Sequence, residues 1–449
     1  MEYTEKIINY VLLYIVSMIV LIWTIIKKQI GVGITLSYAA QFFIVHFLSI
    51  ILYIIPWYID RVDNTTLEWT VTGFEKTSYG FAAFAIGNIF IAPFFKKIIE
   101  ELPSISKKYQ GQQYNDYKKL PEIYIIVGLL SYWVFSYLFS GIPTLHAIIA
   151  VGQQLIIVGL CLACWRAWKN NSMGEFIIWL SVSFLFPFLT IITRGFLGYG
   201  ITSLLIVLIF AFNLFKKRWI AIFLFFVIGY LGLSLYVSYM RDRGIIREIV
   251  WSGRSYEDRI NQIIDTIINF EAFDIRNITH LHTIDDRLNQ NRLIGASVYY
   301  LARSQEFANG STLWESILAL VPRVIWPEKP VYAGSSDLVS RFTGLRFAEG
   351  TSVGIGHVME FYVNFGTLGV VIGFVVLGIL IALIDDAAKH NLNKNNWRNF
   401  SLWFLIGISF LQVGGSLVEL TGSSAASVVV YVLLNKYLIV YLSKKDKNT

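Results

Sequence analysis

Residues Leu320–Gly378 read LVPRVIWPEKPVYAGSSDLVSRFTGLRFAEGTSVGIGHVMEFYVNFGTLGVVIGFVVLG. The stretch opens as a Pro-rich polar segment and closes as an apolar run long enough to cross a bilayer. His357, Glu360 and Asn364 stand at the junction. At helical spacing these three fall within an arc of about 60°, because each residue turns the chain by about 100°. An acid and an imidazole at the mouth of a membrane helix are costly to desolvate, so they point to a task or a partner. A general base with supporting polar groups and a hydrogen-bonded cluster joining helices both fit this pattern.

The rest of the chain agrees with a membrane setting. Charged residues make up 15% of the 449 residues, against about 25% in soluble domains, and the mean hydropathy is +0.58. This composition predicts an all-α polytopic membrane protein. Eleven apolar runs have the length a span demands, roughly 20 residues for a helix. They are Ile7–Ile26, Val32–Ile55, Thr77–Phe95, Ile123–Ser140, Leu145–Trp165, Phe176–Ile192, Leu197–Phe215, Trp219–Ser238, Ile355–Ile384, Phe400–Leu417 and Ser423–Leu442. Cys161 and Cys164 fall inside one of them, where small packing residues are expected rather than redox chemistry. No zinc-type Cys/His spacing is present.

The net charge of +7 does not indicate nucleic acid, because the lysines gather in short loops between spans. Lys27 and Lys28, the lysines from Lys96 to Lys119, Arg166 and Lys169, Lys216 to Arg218, Lys389 to Arg398 and the terminal lysines occupy alternate loops. By the positive-inside rule those loops are cytoplasmic, which puts the N-terminus outside and the C-terminus inside.

Three regions follow: an N-terminal bundle over 1–238, a large external loop over 239–354, and C-terminal membrane helices over 355–449. The loop is rich in arginine, including Arg241, Arg243, Arg323, Arg341 and Arg346, with Lys329 its lone lysine. Arginine is the residue suited to bidentate phosphate binding, while a salt-bridged, solvated loop explains most of these residues equally well. Ile260, Ile263, Ile264, Ile267 and Ile268 recur at helical spacing and predict an amphipathic helix, lying on the membrane surface or packed on other loop helices. Arg194, in the turn Thr193-Arg194-Gly195, can face a lipid phosphate or simply snorkel. Arg323, Trp326 and Lys329 combine cations with an aromatic surface suited to a sugar. Gly369 and Gly373 form a small-xxx-small pair that points to close helix packing.

PRVIWPEKP and GTSVGIGHVMEFYVNFGTLG, with the TRG turn and the late external loop, resemble bacterial O-antigen and exopolysaccharide repeat-unit polymerases, the Wzy family, and the related O-antigen ligases. The resemblance implies a GT-C-like glycosyltransferase of the bacterial cytoplasmic (inner) membrane. Its substrate would be an undecaprenyl-pyrophosphate-linked oligosaccharide in the lipid bilayer, and a chain-length regulator is an expected partner. An acceptor hydroxyl would attack the anomeric carbon of the lipid-linked donor. Carried over by motif, Glu360 and His357 would be catalytic. Arg194 and Arg323, with the loop residues Arg241, Arg243, Arg341 and Arg346, would bind pyrophosphate. Trp326, Lys329 and Asn364 would contact substrate. Because the donor is already activated, no nucleotide site, cofactor or metal is expected. An O-antigen ligase shares most of these features, whereas a lipid-linked oligosaccharide flippase would need paired halves, which the sequence lacks.

Overall fold

The computed structural model describes residues 2–101, 119–139, 143–215, 218–321, 326, 328–329, 335–347, 351 and 353–439. Among them the only regular structure is helical. Among the described residues eight helices are long and apolar enough to cross a membrane: Glu5–Lys28, Ile34–Leu52, Asn64–Lys96, Leu120–Leu138, Leu145–Lys169, Met173–Arg194, Gly356–Asn393 and Leu417–Lys436. The other three expected spans correspond to Gly198–Leu214, Arg218–Trp251 and Trp397–Ser409. Of these, Trp397–Ser409 has only 13 residues, short of the roughly 20 a bilayer core requires.

The third span starts earlier than hydropathy suggests. Asp63 caps it by accepting the Thr66 N–H at 2.8 Å, so the polar run from Asn64 to Lys76 is helix rather than loop. The second, third and fourth spans each carry a π-helical turn, at Phe43–Phe47, Gly87–Ile91 and Ser131–Phe135. Each extra residue rotates the register and leaves one polar side chain buried: His46, Asn88 and Ser131.

The chain divides into two compact units, 1–159 with 289–449, and 160–288. These differ from the expected boundaries near 238 and 354. Residues 289–347, expected in the external loop, belong to the first unit, and a close helix crossing explains why. Gln290–Ser304 lies against Asn64–Ile86 through two glycines. A Cβ on Gly73 would stand 1.9 Å from the Asn291 carbonyl oxygen, and one on Gly295 1.8 Å from that of Trp69. Asn291 is wholly buried at this crossing. Its side chain donates to the His46 carbonyl at 2.7 Å and accepts from Thr77 Oγ1 at 2.9 Å. Its Oδ1 also pairs with His46 Nδ1 at 3.0 Å. An amide with this many partners inside a helix bundle cannot be part of a solvated loop.

In the same unit the Gly356–Asn393 helix is broken. Phe365 (φ −141°, ψ 25°) and Gly366 (φ 62°, ψ −149°) leave helical geometry. The expected single span from Ile355 is therefore a short helix ahead of a long apolar one. Phe361 of the short helix fills the notch above Gly369 and Gly373: a Cβ on Gly373 would lie 2.5 Å from its ring, and one on Gly369 2.4 Å from its carbonyl oxygen. The small-residue pair thus serves close packing, and the short helix folds back on the long one. Further along, Asp385 is buried, and its carboxylate accepts four backbone N–H groups at the start of the second span. Oδ1 takes Val32 (2.7 Å), Gly33 (3.2 Å) and Ile34 (3.2 Å), and Oδ2 takes Thr35 (3.0 Å). A carboxylate at a helix N-terminus satisfies the orphan donors there and matches the helix dipole.

The second unit has its core around Ile191, Leu197, Tyr239, Ile246, Val250 and Ile263. Cys164 packs with Ala167, Phe176 and Ala211, and both cysteines are buried and unpaired. The Arg218–Trp251 helix continues well past Ser238, and Tyr256–Ile268 packs against it. The chain then returns along it: Ser234 and Ser238 accept the Phe273 and Glu271 N–H groups, and Tyr230 donates to the Phe273 carbonyl.

Candidate functional site

The short helix Gly356–Asn364 positions the sequence-expected triad. Its first two N–H groups, at Gly356 and His357, bond to the carbonyls of Gly414 and Val413 at 3.1 and 3.2 Å. At its other end the Val363 carbonyl accepts the Ala308 N–H at 2.8 Å, and Asn364 Oδ1 accepts that of Gly310 at 2.8 Å. Both ends of a helix this short are held by neighbouring loops, which is how it keeps its place beside a break.

His357, Glu360 and Asn364 are all buried, not at an open mouth. They share a face, as the spacing implies, but each has its own partners. His357 Nδ1 hydrogen-bonds the Tyr38 hydroxyl at 3.1 Å. Glu360 Oε2 accepts the Leu417 N–H at 2.7 Å. Asn364 Nδ2 donates to Thr312 Oγ1 and to the Glu360 carbonyl, both at 2.7 Å. The Thr312 hydroxyl also faces the Glu360 carboxyl group. One atom of each titratable side chain, His357 Nε2 and Glu360 Oε1, is buried with no hydrogen-bond partner among the described residues.

The sequence reading missed the residues that hold this triad. Tyr38 lies more than 300 residues away in the chain. His46, Thr77 and Asn291 form a second buried polar knot, in which His46 Nε2 is likewise without a partner among the described residues. Asp385 escaped because the expected span stopped at Ile384. An acid inside the long apolar helix was the signal available.

In the second unit the Thr193-Arg194-Gly195 turn closes the helix Phe186–Arg194. Gly195 takes a left-handed conformation (φ 73°), and the Phe196 N–H reaches back to the Thr190 carbonyl. The exposed carbonyls of the turn are covered from outside. Tyr239 Oη donates to the Gly195 carbonyl at 2.7 Å, Trp251 Nε1 to that of Arg194 at 3.2 Å, and Arg259 Nη1 to that of Ile192 at 3.1 Å. The Arg194 guanidinium lies 5.7 Å from the centre of the Tyr199 ring.

The loop arginines separate by their neighbours. Arg241 is neutralised: it bonds both oxygens of Asp242 at 2.9 Å, Glu271 Oε1 at 2.7 Å and the Asn269 carbonyl at 2.7 Å. These bonds hold the Asp242 and Glu271 carboxyls below their ordinary range. The adjoining groove, lined by Arg241, Asp242, Asp265 and Glu271 among others, carries three carboxylates against one guanidinium. It is no place for pyrophosphate, which corrects the expectation for Arg241. Arg243 differs. Burial, and then the guanidinium groups of Arg247 and Arg287, push its pKa down. Unlike Arg241, Arg243 thus has cations rather than carboxylates among the charges acting on it.

Of the remaining expected residues, those that the structure describes are scattered over the first unit. Arg323 lies outside the described residues. Trp326 is exposed. Lys329 is buried, and its ammonium donates to the Ala319 and Val321 carbonyls at 3.2 and 2.7 Å, closing the end of the Ser311–Ala319 helix. That bonding gives Lys329 a structural task instead of the substrate contact expected of it. Arg341 and Arg346 are exposed, with Arg341 5.1 Å from the Phe342 ring centre.

No curated protein and no solved structure matches the chain. Residues 91–392, more than half of the chain, match the family described as "Domain of unknown function (DUF8712)", and the chain belongs to that family.

Proposed function

We propose that this protein is a membrane glycosyltransferase that polymerises oligosaccharide repeat units carried on a polyprenyl pyrophosphate. In this reading it is an eleven-span, GT-C-like enzyme of the bacterial cytoplasmic membrane with its N-terminus outside. The observation that carries the proposal is the pair of open atoms on the short helix. Glu360 is anchored through Oε2 and leaves Oε1 unused, one helical turn from His357 Nε2. A buried acid and imidazole, each fixed on one side and open on the other, suit a base and its support.

The chemistry balances without further reactants. The acceptor hydroxyl oxygen forms a bond to the anomeric carbon, and the bond from that carbon to pyrophosphate breaks. The hydroxyl proton goes to Glu360 or His357. The leaving polyprenyl pyrophosphate gains negative charge, which fixed cations stabilise. Arg341 and Arg346, expected for that role from the sequence, are exposed and belong to the same unit as Glu360; Arg241 drops out.

Purified protein in proteoliposomes, supplied only with lipid-linked repeat units, tests the reading. A ladder of lengthened glycans on lipid is the expected product. Transfer only after a separate lipid-core acceptor is added would make the protein a ligase. Units crossing the membrane without lengthening would make it a flippase.

A further inference from the structure

The Tyr256–Ile268 helix keeps its isoleucines on a face that its own unit leaves bare. Ile263 and Thr266 are buried, and Ile263 enters the core beside Ile191 and Ile246. Ile260, Ile264, Ile267 and Ile268 are exposed, Ile268 at 74%. With about 100° per residue, the bare stripe is centred roughly 120° away from the buried face. An apolar stripe of this kind needs a partner.

Several contacts set the level at which the stripe sits. The Arg259 guanidinium holds the Ile192 carbonyl, and Trp251 holds that of Arg194. Both carbonyls belong to the last turn of the Met173–Arg194 helix, one of those able to span the membrane. The Tyr256–Ile268 helix is therefore fixed at the end of a span, where bilayer core gives way to headgroups. The surroundings have the composition of that zone. Phe196 touches Tyr199 and Trp251, with ring centres 6.0 Å apart in both pairs. Arg194 lies over Tyr199, and Arg259 lies 4.9 Å from the Tyr256 ring centre. Arg247 lies against both Phe196 (4.4 Å) and Trp251 (5.2 Å). Tyr199, Trp251 and Tyr256 are exposed. Aromatic rings gather at headgroup depth, and arginines beside them meet lipid phosphates.

We propose that the segment Trp251–Ile268 docks onto the bilayer surface at the end of the Met173–Arg194 helix. The isoleucine stripe enters the outer part of the acyl region, and the alternating arginines and aromatics occupy the headgroups. Lipid is the occupant because the stripe is tied by hydrogen bonds to the end of a membrane helix and is flanked by exposed interfacial aromatics. The inference stands apart from the glycosyltransferase reading.

The test uses the full chain with Cys161→Ala and Cys164→Ala, so that an environment-sensitive fluorophore can be placed at Ile264→Cys, Ile268→Cys or, on the polar side, Asp265→Cys. The protein is reconstituted in phosphatidylethanolamine–phosphatidylglycerol vesicles. Doxyl lipids labelled near the glycerol end of the acyl chain should quench the probes at 264 and 268 several-fold more than the probe at 265. Aqueous iodide should show the reverse order. Equal access of iodide to all three would place the stripe in water and overturn the proposal. Protection of 264 and 268 from both quenchers would also overturn it, since the stripe would then be covered by protein.

Discussion

Glu360 Oε2 accepts the backbone N–H of Leu417 at 2.7 Å, joining the short helix ahead of the helix break to the first turn of the Leu417–Leu433 helix. The bond gives one carboxylate two separable roles, an anchor through Oε2 and an open acceptor at Oε1. Glutamine can keep the first through its amide oxygen but cannot take up a proton.

Glu360→Gln should therefore leave protein level and melting temperature near wild type while glycan elongation falls by about 10²–10⁴, the usual loss for a general base. Glu360→Ala strands the buried Leu417 N–H, at about 1–3 kcal/mol, and should lower the melting temperature as well. Wild-type elongation by Glu360→Gln, with only the alanine variant unstable, would reduce Glu360 to an anchor.

Tyr38 and His357 form the second such contact. The hydroxyl at Nδ1 fixes the ring orientation and its tautomer, which decides whether Nε2 offers a lone pair or a proton. Tyr38→Phe should lower kcat with KM nearly unchanged and displace the pH profile of elongation, alongside a stability loss of about 1–3 kcal/mol for the stranded nitrogen. An unchanged pH profile in a variant that is merely less stable would assign the pair to packing alone.

The helical membrane character was legible because apolar runs of span length need no long-range information. The shared face of His357, Glu360 and Asn364 was also legible, because it follows from local spacing. Their partners were not: Tyr38, Leu417, Thr312 and Gly310 come from remote segments, and sequence spacing does not encode such meetings. The break at Gly366 was hidden because FGTLG reads like the small-residue packing common in membrane helices. Residues Gln290–Ser304 looked like loop because Asn289, Gln290, Asn291 and Arg292 are polar. Only the glycine crossing at Gly73 and Gly295 shows where those amides find partners. Arg241 and Arg243 are two residues apart and indistinguishable by composition. Acidic neighbours at Asp242 and Glu271 neutralise one and leave the other among cations.

The Arg241 cluster has a definite pH dependence. Its hydrogen bonds depress the Asp242 and Glu271 carboxyl pKa values. Groups whose folded pKa is lowered add stability that is present above their unfolded pKa and is lost as pH falls through the folded one. Hydrogen exchange at residues 269–273 should accordingly stay protected as pH drops through the ordinary carboxylate range, near pH 4, and rise only below it. In Arg241→Gln protection should already be reduced at neutral pH and should lose this acid step. The effect should be modest, because the cluster is solvent-accessible. Identical acid profiles in both proteins would show that the ion pairs do not hold the returning segment.

Gly366 is the residue on which the broken helix turns. Its φ of 62° with ψ of −149° lies in a region essentially reserved for glycine, and forcing another residue there costs about 1–3 kcal/mol. Space is not the obstacle, since among the described residues no atom outside the neighbouring backbone lies within 4 Å of an added Cβ. Gly366→Ala therefore isolates backbone strain. The variant can relieve it by continuing the helix through 365–366, which would draw Phe361 out of the Gly369–Gly373 notch and displace Glu360 from Leu417. The expected result is a lower melting temperature together with lost elongation. Gly422→Ala is the matched control: it lies inside the Leu417–Leu433 helix, also with nothing near an added Cβ, and alanine in a helix interior is favoured over glycine by about 1 kcal/mol. That control should be neutral or stabilising and fully active. A Gly366→Ala protein as stable and as active as the Gly422→Ala protein would mean that the break is not needed to hold the short helix and its triad in place.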